Sequence, residues 1–381
     1  MKSKIVVALY AHPENYPPVL NMLGEFSKLY KEVHLVFRPL FPLAWPYAGN
    51  VRLHESGAKM TVTEQEQLPI HKKIQLFLTY CQDLRRLIRK EKPEVFIAID
   101  PMASLAMYVV RGFLRYRPLL WYHNQDVVEL HMTRKYSLSW FAKWAEPGLF
   151  PHLDIFSLPA NERAEYFPME KLKGKYFFIP NLPSINVHGA VFNPNKSLDT
   201  VRVLFMGHVG PQHGIEEIMD MMPFSIGGKP VHLVLKGYIR PGIRETYEQL
   251  IREKKLEEYV EMVGYTAYQE VPKLTGSCHI GIAVFTKDDI MNKTLGTASS
   301  KIYEYAAAGL PIIYFDNPHF RQHLDQYEWA FATDLSEASL RDCMGKIVAD
   351  YPALSRKAHE SFLQGLNYQH KFREVANYLM N

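Results

Sequence analysis

Apolar residues in this chain gather into short continuous runs rich in β-branched side chains, separated by longer stretches of mixed polarity. The first half holds "KIVVALY" (4–10), "EVHLVF" (32–37), "EVFIAID" (94–100), "PLLWYH" (118–123) and "DIFSL" (154–158). The second holds "VRVLFMG" (201–207), "VHLVLKG" (231–237), "VEMVG" (260–264), "HIGIAVF" (279–285) and "PIIYF" (311–315). Runs this short and this apolar predict strands buried on both faces, as in parallel sheets. Helical periodicity fills the intervals near 17–30, 72–91, 102–115 and 137–148, then near 214–222, 243–256, 268–275 and 300–308. The closing stretch is also helical, with Phe372, Val375, Tyr378 and Leu379 on one face.

Each half therefore reads as a doubly wound α/β, Rossmann-like unit, and such sheets take ligands beyond the carboxyl ends of their strands. The expected division is one such domain over 1–185 and an Asn-, Pro- and Ser-rich linker over 186–200. A ligand-binding domain over 201–360 follows, then a helix over 361–381 that packs back toward the N-domain. A chain of 381 residues suits two such domains. Two sheets joined by one linker would face each other across a cleft.

Composition narrows the function class. The formal net charge of +4 is spread among acidic residues and forms no tail, which argues against nucleic acid. Cys81, Cys278 and Cys343 lie far apart, as expected of a reducing compartment, and offer no zinc site. The apolar run at the N-terminus is too short for a signal peptide, and no window is long enough to span a membrane. The expectation is a cytoplasmic protein.

The stretch "SSKIYEYAAAGLP" (299–311) reads as a short helix with serines to cap it and glycine and proline to end it. Glu304 is its odd member. A capping box needs the carboxylate three residues after the cap, and Ser300 is four away. A surface pair with Lys301 would contribute only about 0.3–0.5 kcal/mol. A carboxylate just inside a helix whose first amides can receive phosphate could instead accept hydrogen bonds from the ribose of a nucleotide.

With the strand that follows, "SSKIYEYAAAGLPIIYF" resembles the signature of family 4 glycosyltransferases (glycosyl transferases group 1), retaining enzymes of the GT-B fold. "VLFMGHVGPQHGIEEIMDMM" is similar to that family's first C-domain strand, glycine loop and helix. "VEMVGYTAYQEVPKL" resembles its nucleobase loop, and "RAEYFPMEKLKGKYFFIPNLP" the end of its N-domain. The resemblance implies that Glu304 binds the ribose of a nucleotide-diphosphate sugar, UDP- or GDP-linked, and that no other cofactor and no metal is needed. Ser299 and Ser300 would lie near the diphosphate, and the backbone from Tyr265 to Ala267 would hold the base. The loop 285–298, with Gly296 and Thr297, would wrap the sugar.

Departures from the family pattern stand beside the matches. The position of a second, sugar-touching glutamate is Gly296. Where the family's glycine loop after Gly207 offers arginine and lysine to the diphosphate, this chain has His208 and His213, weaker phosphate partners when neutral. Lys236, Arg240 or Lys301 would then supply the charge. The spacing of "GHVGPQHG" is not the dinucleotide fingerprint, which argues against NAD.

In the first half, "WYHNQDVVE" (121–129) ends a strand where the family places a histidine near the anomeric carbon. His123 fits, or Gln125 if the register moves by two, and Asp126 would orient the imidazole or assist the acceptor. His12 and Glu14, in "AHPENYPP", would touch the acceptor or else belong to a rigid surface turn. Between 111 and 150, Arg111, Arg115, Arg117, Arg134, Lys135 and Lys143 alternate with Trp121, Tyr136, Trp140, Phe141 and Trp144. That interleaving suits a peripheral contact with the inner face of a membrane, unless the aromatics pack into the core.

The resemblance implies transfer of a sugar from a nucleotide-diphosphate donor, with retention, to a hydroxyl of a glycan or lipid-linked acceptor. Bacterial surface-polysaccharide assembly is the setting expected by analogy. The rivals are a catalytically silent nucleotide-binding subunit and a nucleotide-sugar epimerase of the same fold.

Overall fold

A computed structural model describes residues 1–189 and 191–381. The chain divides into two compact units: Met1–Pro180 with Phe372–Asn381, and Asn181–Lys371.

The first unit is built on β1 (Lys2–Leu9), β2 (Tyr30–Phe37), β3 (Val51–Glu55), β4 (Val95–Ile99), β5 (Leu119–His123), β6 (Ile155–Leu158) and β7 (Lys175–Phe178). Every pairing is parallel, in the order β3-β2-β1-β4-β5-β6-β7. The chain winds outward from β1 and then resumes at β4 on its other side, so the switch point lies between β1 and β4. Apolar strand residues such as Val6, Val7, Ile97 and Trp121 are fully buried because helices cover both faces.

The second unit carries β8 (Val201–Val209), β9 (Ser225–Ile226), β10 (Lys229–Ile239), β11 (Val260–Gly264), β12 (Ile280–Ala283), β13 (Ile312–Phe315) and β14 (Ala330–Thr333). Its parallel order is β11-β10-β8-β12-β13-β14, with β9 antiparallel to β10. The switch point here lies between β8 and β12. Both units have the expected doubly wound, Rossmann-like α/β topology.

Four strands lie outside the continuous apolar runs. The first-unit strands β3 and β7 sit at sheet edges, where exposure lets polar residues into "VRLHE" and "KYFF". The "AFAT" strand β14 also ends its sheet, and β9 has two residues. Helices Glu337–Ala349 and Tyr351–Gln364 complete the second unit.

The segment 186–200 is part of the second unit and not a free linker. His188 Nε2 lies 3.0 Å from the Tyr268 hydroxyl, and Lys196 Nζ donates to the Cys278 carbonyl at 2.6 Å. A Cβ on Gly276 would come within 2.4 Å of Val191 Cγ1. Ala190 of that segment lies outside the described residues. The unit boundaries at 180 and 371 also differ from those read at 185 and 360. The Tyr368–Met380 helix contributes Phe372 to the first unit, where its ring packs edge-on against Phe26 at 5.6 Å. Among the described residues no helix is long and apolar enough to cross a membrane.

Candidate functional site

In the second unit the helix Ser300–Ala307 starts after Ser299 and stops at Gly309, whose φ of 69° favours glycine. Neither serine caps it. Ser299 Oγ is buried without a partner, so the hydroxyl expected to hold the helix start is left to serve something else. What pins the helix is Tyr305. Its hydroxyl accepts from the Met206 amide at 2.8 Å and donates to the Ile282 carbonyl at 3.3 Å. Its ring rests on Gly281, where a Cβ would sit 2.5 Å away. The helix is thereby fastened to β8 and β12, on either side of the switch point.

Glu304, next to that anchor, is buried at 4% exposure. Among the described residues its carboxylate forms no hydrogen bond, which leaves its oxygens available to a ligand. Its field acts on two neighbours. Burial lowers the pKa of Lys236, with Glu304 opposing that shift and Lys301 adding to it. Burial also lowers that of His188, again against Glu304.

The ends of β8 and β10 meet beside these charges. Gly207 and Gly237 are register partners with φ of 137° and 131°. The Lys301 side chain crosses Gly207 so closely that a Cβ there would lie 2.5 Å from Lys301 Cε. His208 is exposed, and partial desolvation together with the Arg240 and Lys301 charges lowers its pKa. The structure thus gathers Glu304, Lys236, Lys301, Gly207, His208 and Arg240 at one end of the sheet.

Other expected donor-side residues stand differently. His213 is a packed ring. It stacks on Phe205 at 4.7 Å with Nδ1 3.0 Å from the Val284 carbonyl, and burial lowers its pKa. A neutral ring fixed to backbone through one nitrogen is a weaker diphosphate partner than a permanent cation. Gly296 is wedged where a Cβ would meet His319 Nδ1 at 2.8 Å, which leaves no room for a longer side chain. Thr297 Oγ1 is buried without a partner, and Ser300 is half-buried at the helix start. Tyr265 is exposed at the end of β11.

His188 was not legible as a functional residue. It lies in an Asn-, Pro- and Ser-rich stretch, and only folding brings it under the influence of Glu304, with Nδ1 buried and unpartnered.

In the first unit His123 ends β5, fully buried, and its pKa is pushed down to about 4 by that burial. Its Nδ1 lies 2.8 Å from Ser157 Oγ, which also accepts from Trp121 Nε1 at 2.7 Å. Ser157 therefore holds the imidazole at Nδ1. Asp126 is exposed and acts on Asp100, at the carboxyl end of β4. Asp100 has φ of 67°, accepts from the Gln125 amide at 2.8 Å, and is raised to about 7 by burial and by Asp126. Arg163 secures the same loop by donating to the Gln125 carbonyl at 2.5 Å. Nothing in the pattern of "EVFIAID" distinguished Asp100 from an ordinary strand end.

His12 and Glu14 are both engaged within the first unit, although His12 Nε2 is buried without a partner. The His12 ring is fully buried 3.8 Å from that of Phe41, with Nδ1 accepting from the Leu40 amide. Glu14 accepts from the Ala44 and Trp45 amides at 2.8 Å each, clamping that loop. Of the aromatics between 111 and 150, Trp121 belongs to the core, whereas Tyr136, Phe141 and Trp144 are exposed.

Residues 190–360 match a family model described as glycosyl transferases group 1. No curated protein matches the chain in sequence. Among solved structures, sucrose-phosphate synthase from Thermosynechococcus elongatus is similar, with 14% identity over 100% of this chain and 98% of that one, at a TM-score of 0.70. HepE of Anabaena, in complex with UDP and glucose, shares 12% identity over 100% and 99%, at 0.65. WaaG, a glycosyltransferase involved in lipopolysaccharide biosynthesis, shares 10% identity over 100% of both chains, at 0.65. Residues 190–360 thus match the glycosyl transferases group 1 model, within a chain that has the GT-B fold.

Proposed function

We propose that this protein is a retaining glycosyltransferase that moves a sugar from a nucleotide-diphosphate donor to a hydroxyl of a glycan or lipid-linked acceptor. The observation that carries the reading is Glu304: a buried carboxylate with no donor among the described residues, one helical turn from free amides and beside Lys236 and Lys301. Two ribose hydroxyls would satisfy it. The glycine pair at the ends of β8 and β10 lets a diphosphate approach backbone closely. Lys301, Lys236 and Arg240 supply the cations that His208 and His213 do not.

In the reaction, the bond between the anomeric carbon and the diphosphate oxygen breaks and the bond to the acceptor oxygen forms. The acceptor proton leaves with the diphosphate. Charge developing on the leaving group is stabilised by preorganised cations and helix-start amides. Neutral His123, held through Nδ1 by Ser157, is suited to hydrogen-bond a sugar hydroxyl without competing for protons.

Anabaena HepE was captured with UDP and glucose, which favours a UDP-linked donor here, with a GDP-linked one next. WaaG acts in lipopolysaccharide biosynthesis, which supports a surface-polysaccharide setting in the cytoplasm at the membrane face. The reaction as proposed needs no metal or further cofactor, so rates with EDTA and with Mg²⁺ should agree.

A silent nucleotide-binding subunit is the second reading, favoured by Gly296 packed against His319 where a sugar-touching carboxylate would otherwise stand. Calorimetric titration with UDP, GDP, ADP and CDP, then with nucleotide-sugars of the winning base, tests both. Saturable binding of one nucleotide, lost in Glu304→Ala, is the expected result. Binding unchanged in that variant would sink the ribose assignment, and nucleotide binding without hydrolysis or transfer of any donor would favour the silent subunit.

A further inference from the structure

A cavity of about 720 Å³ opens in the first unit at the carboxyl ends of β1, β2 and β4, where Tyr10, Arg38 and Met102 follow those strands. Four cations line it, Arg38, Lys73, Arg134 and Lys135, and no carboxylate among the described residues does. Apolar walls come from Leu76, Met102 and Leu138.

Arg38 is the informative member. It is 1% exposed, yet no carboxylate lies within ion-pair distance of it among the described residues. One terminal nitrogen, Nη1, donates to the Ser56 carbonyl at 3.1 Å. The guanidinium lies over the Tyr10 ring, 5.6 Å from its centre, and Nε is buried without any partner. Gly57, at φ of 79°, makes room for it: a Cβ there would fall 2.2 Å from Nη1. A buried permanent cation held in place but left uncompensated is costly unless an anion joins it.

The opposite wall adds to this. Helix Leu138–Leu149 begins at the cavity with Ser137 as its cap, so its first amides and the positive end of its dipole are presented there. The turn before it is bent by Tyr136, a non-glycine residue at φ of 63°.

We propose that this cavity binds an anionic group on the acceptor, a phosphate in preference to a carboxylate given four lining cations, with an apolar portion against Leu76, Met102 and Leu138. The inference rests on reading the first unit as the acceptor side. The acceptor is then a phosphorylated sugar or an amphiphilic phosphate; both share the phosphate contacts, and only the second uses the apolar walls.

Titration at physiological salt with glucose 6-phosphate, decyl phosphate below its micellar range and neutral decyl glucoside tests this. Saturable binding of either phosphate, absent for decyl glucoside, is expected, and tighter binding of decyl phosphate would identify the amphiphilic class. Affinity should fall about tenfold or more in Arg38→Gln. Because Arg38 is buried, Arg134→Ala/Lys135→Ala, at exposed positions, serves as the second variant and should show a loss of similar size. Equal binding of the neutral probe, or unchanged affinity in the double variant, overturns the proposal. Nucleotide binding in the same samples separates the two failures. Nucleotide bound without phosphate overturns this inference alone. Phosphate bound without nucleotide sustains it and leaves the transferase reading without its donor.

Discussion

Gly207 and Gly237 face each other in register across β8 and β10, so tightly that a Cβ on Gly237 would lie 1.8 Å from the Gly207 carbonyl oxygen. Both have backbone angles that favour glycine. Gly237→Ala should destabilise the second unit by at least about 2 kcal/mol, because backbone cannot yield as a side chain can. Gly207→Ala meets the Lys301 side chain as well, so it should displace that ammonium and weaken nucleotide-diphosphate binding in addition. Chemical denaturation and calorimetry on the two variants would distinguish these outcomes; equal stability to wild type would refute the packing argument.

Lys236 and Glu304 are electrostatically coupled in a buried setting. Lys236→Met should cost up to about 1 kcal/mol, because it removes a cation whose field acts on the Glu304 carboxylate. Adding Glu304→Gln should recover part of that loss, giving a non-additive double-mutant cycle. Additive effects would mean the two groups do not sense each other.

His123 and His279 both have pKa values lowered to about 4 by burial. His279 is fully engaged as a neutral ring, with Nδ1 accepting from the Arg202 amide at 3.0 Å and Nε2 2.9 Å from the Ser197 carbonyl. The unfolded chain binds more protons than the folded one between about pH 6.5 and 4. Their contribution is therefore complete above pH 6.5 and is lost as pH falls toward 4, by up to about 3 kcal/mol for each ring. Denaturation at several pH values, with imidazole resonances followed by NMR, checks this; titration of either ring near 6.5 would contradict it.

Asp100 has the opposite sign. Its carboxyl is raised to about 7, so the folded protein holds a proton that the unfolded chain gives up above about 4. Stability from this group is lost as pH rises through 7. Asp100→Asn should therefore gain on wild type between pH 5 and 8, by about 1–2 kcal/mol. A constant difference across that range would rule the shift out.

Trp144, 63% exposed on the helix Leu138–Leu149, has its ring stacked on Trp140, with Phe141 exposed nearby. Phe141→Ser/Trp144→Ser should alter stability by less than about 0.5 kcal/mol while reducing flotation with anionic vesicles. Flotation equal to wild type, or none in either protein, would dismiss a membrane role for this face.

The strand runs from "KIVVALY" to "PIIYF" were legible because a strand buried on both faces has no polar position to spare. Edge strands β3 and β7 were not, since half of each faces water and its pattern resembles a loop. The short signature around Glu304 was legible for a different reason. A carboxylate within a small-residue helix matches neither a cap nor an ordinary surface pair.

Sequence alone thus determined the doubly wound units, the helix that carries Glu304 and the place of His123 at a strand end. These follow from local periodicity and from which residues can end an element. Tertiary structure decided the rest: that Ser157 holds His123, that His12 and His213 are packing rings, and that His188 comes to Glu304. It also decided that Arg38 is buried without a counter-charge. Each depends on groups distant along the chain that only a sheet's register and the packing of its helices bring within a few ångströms.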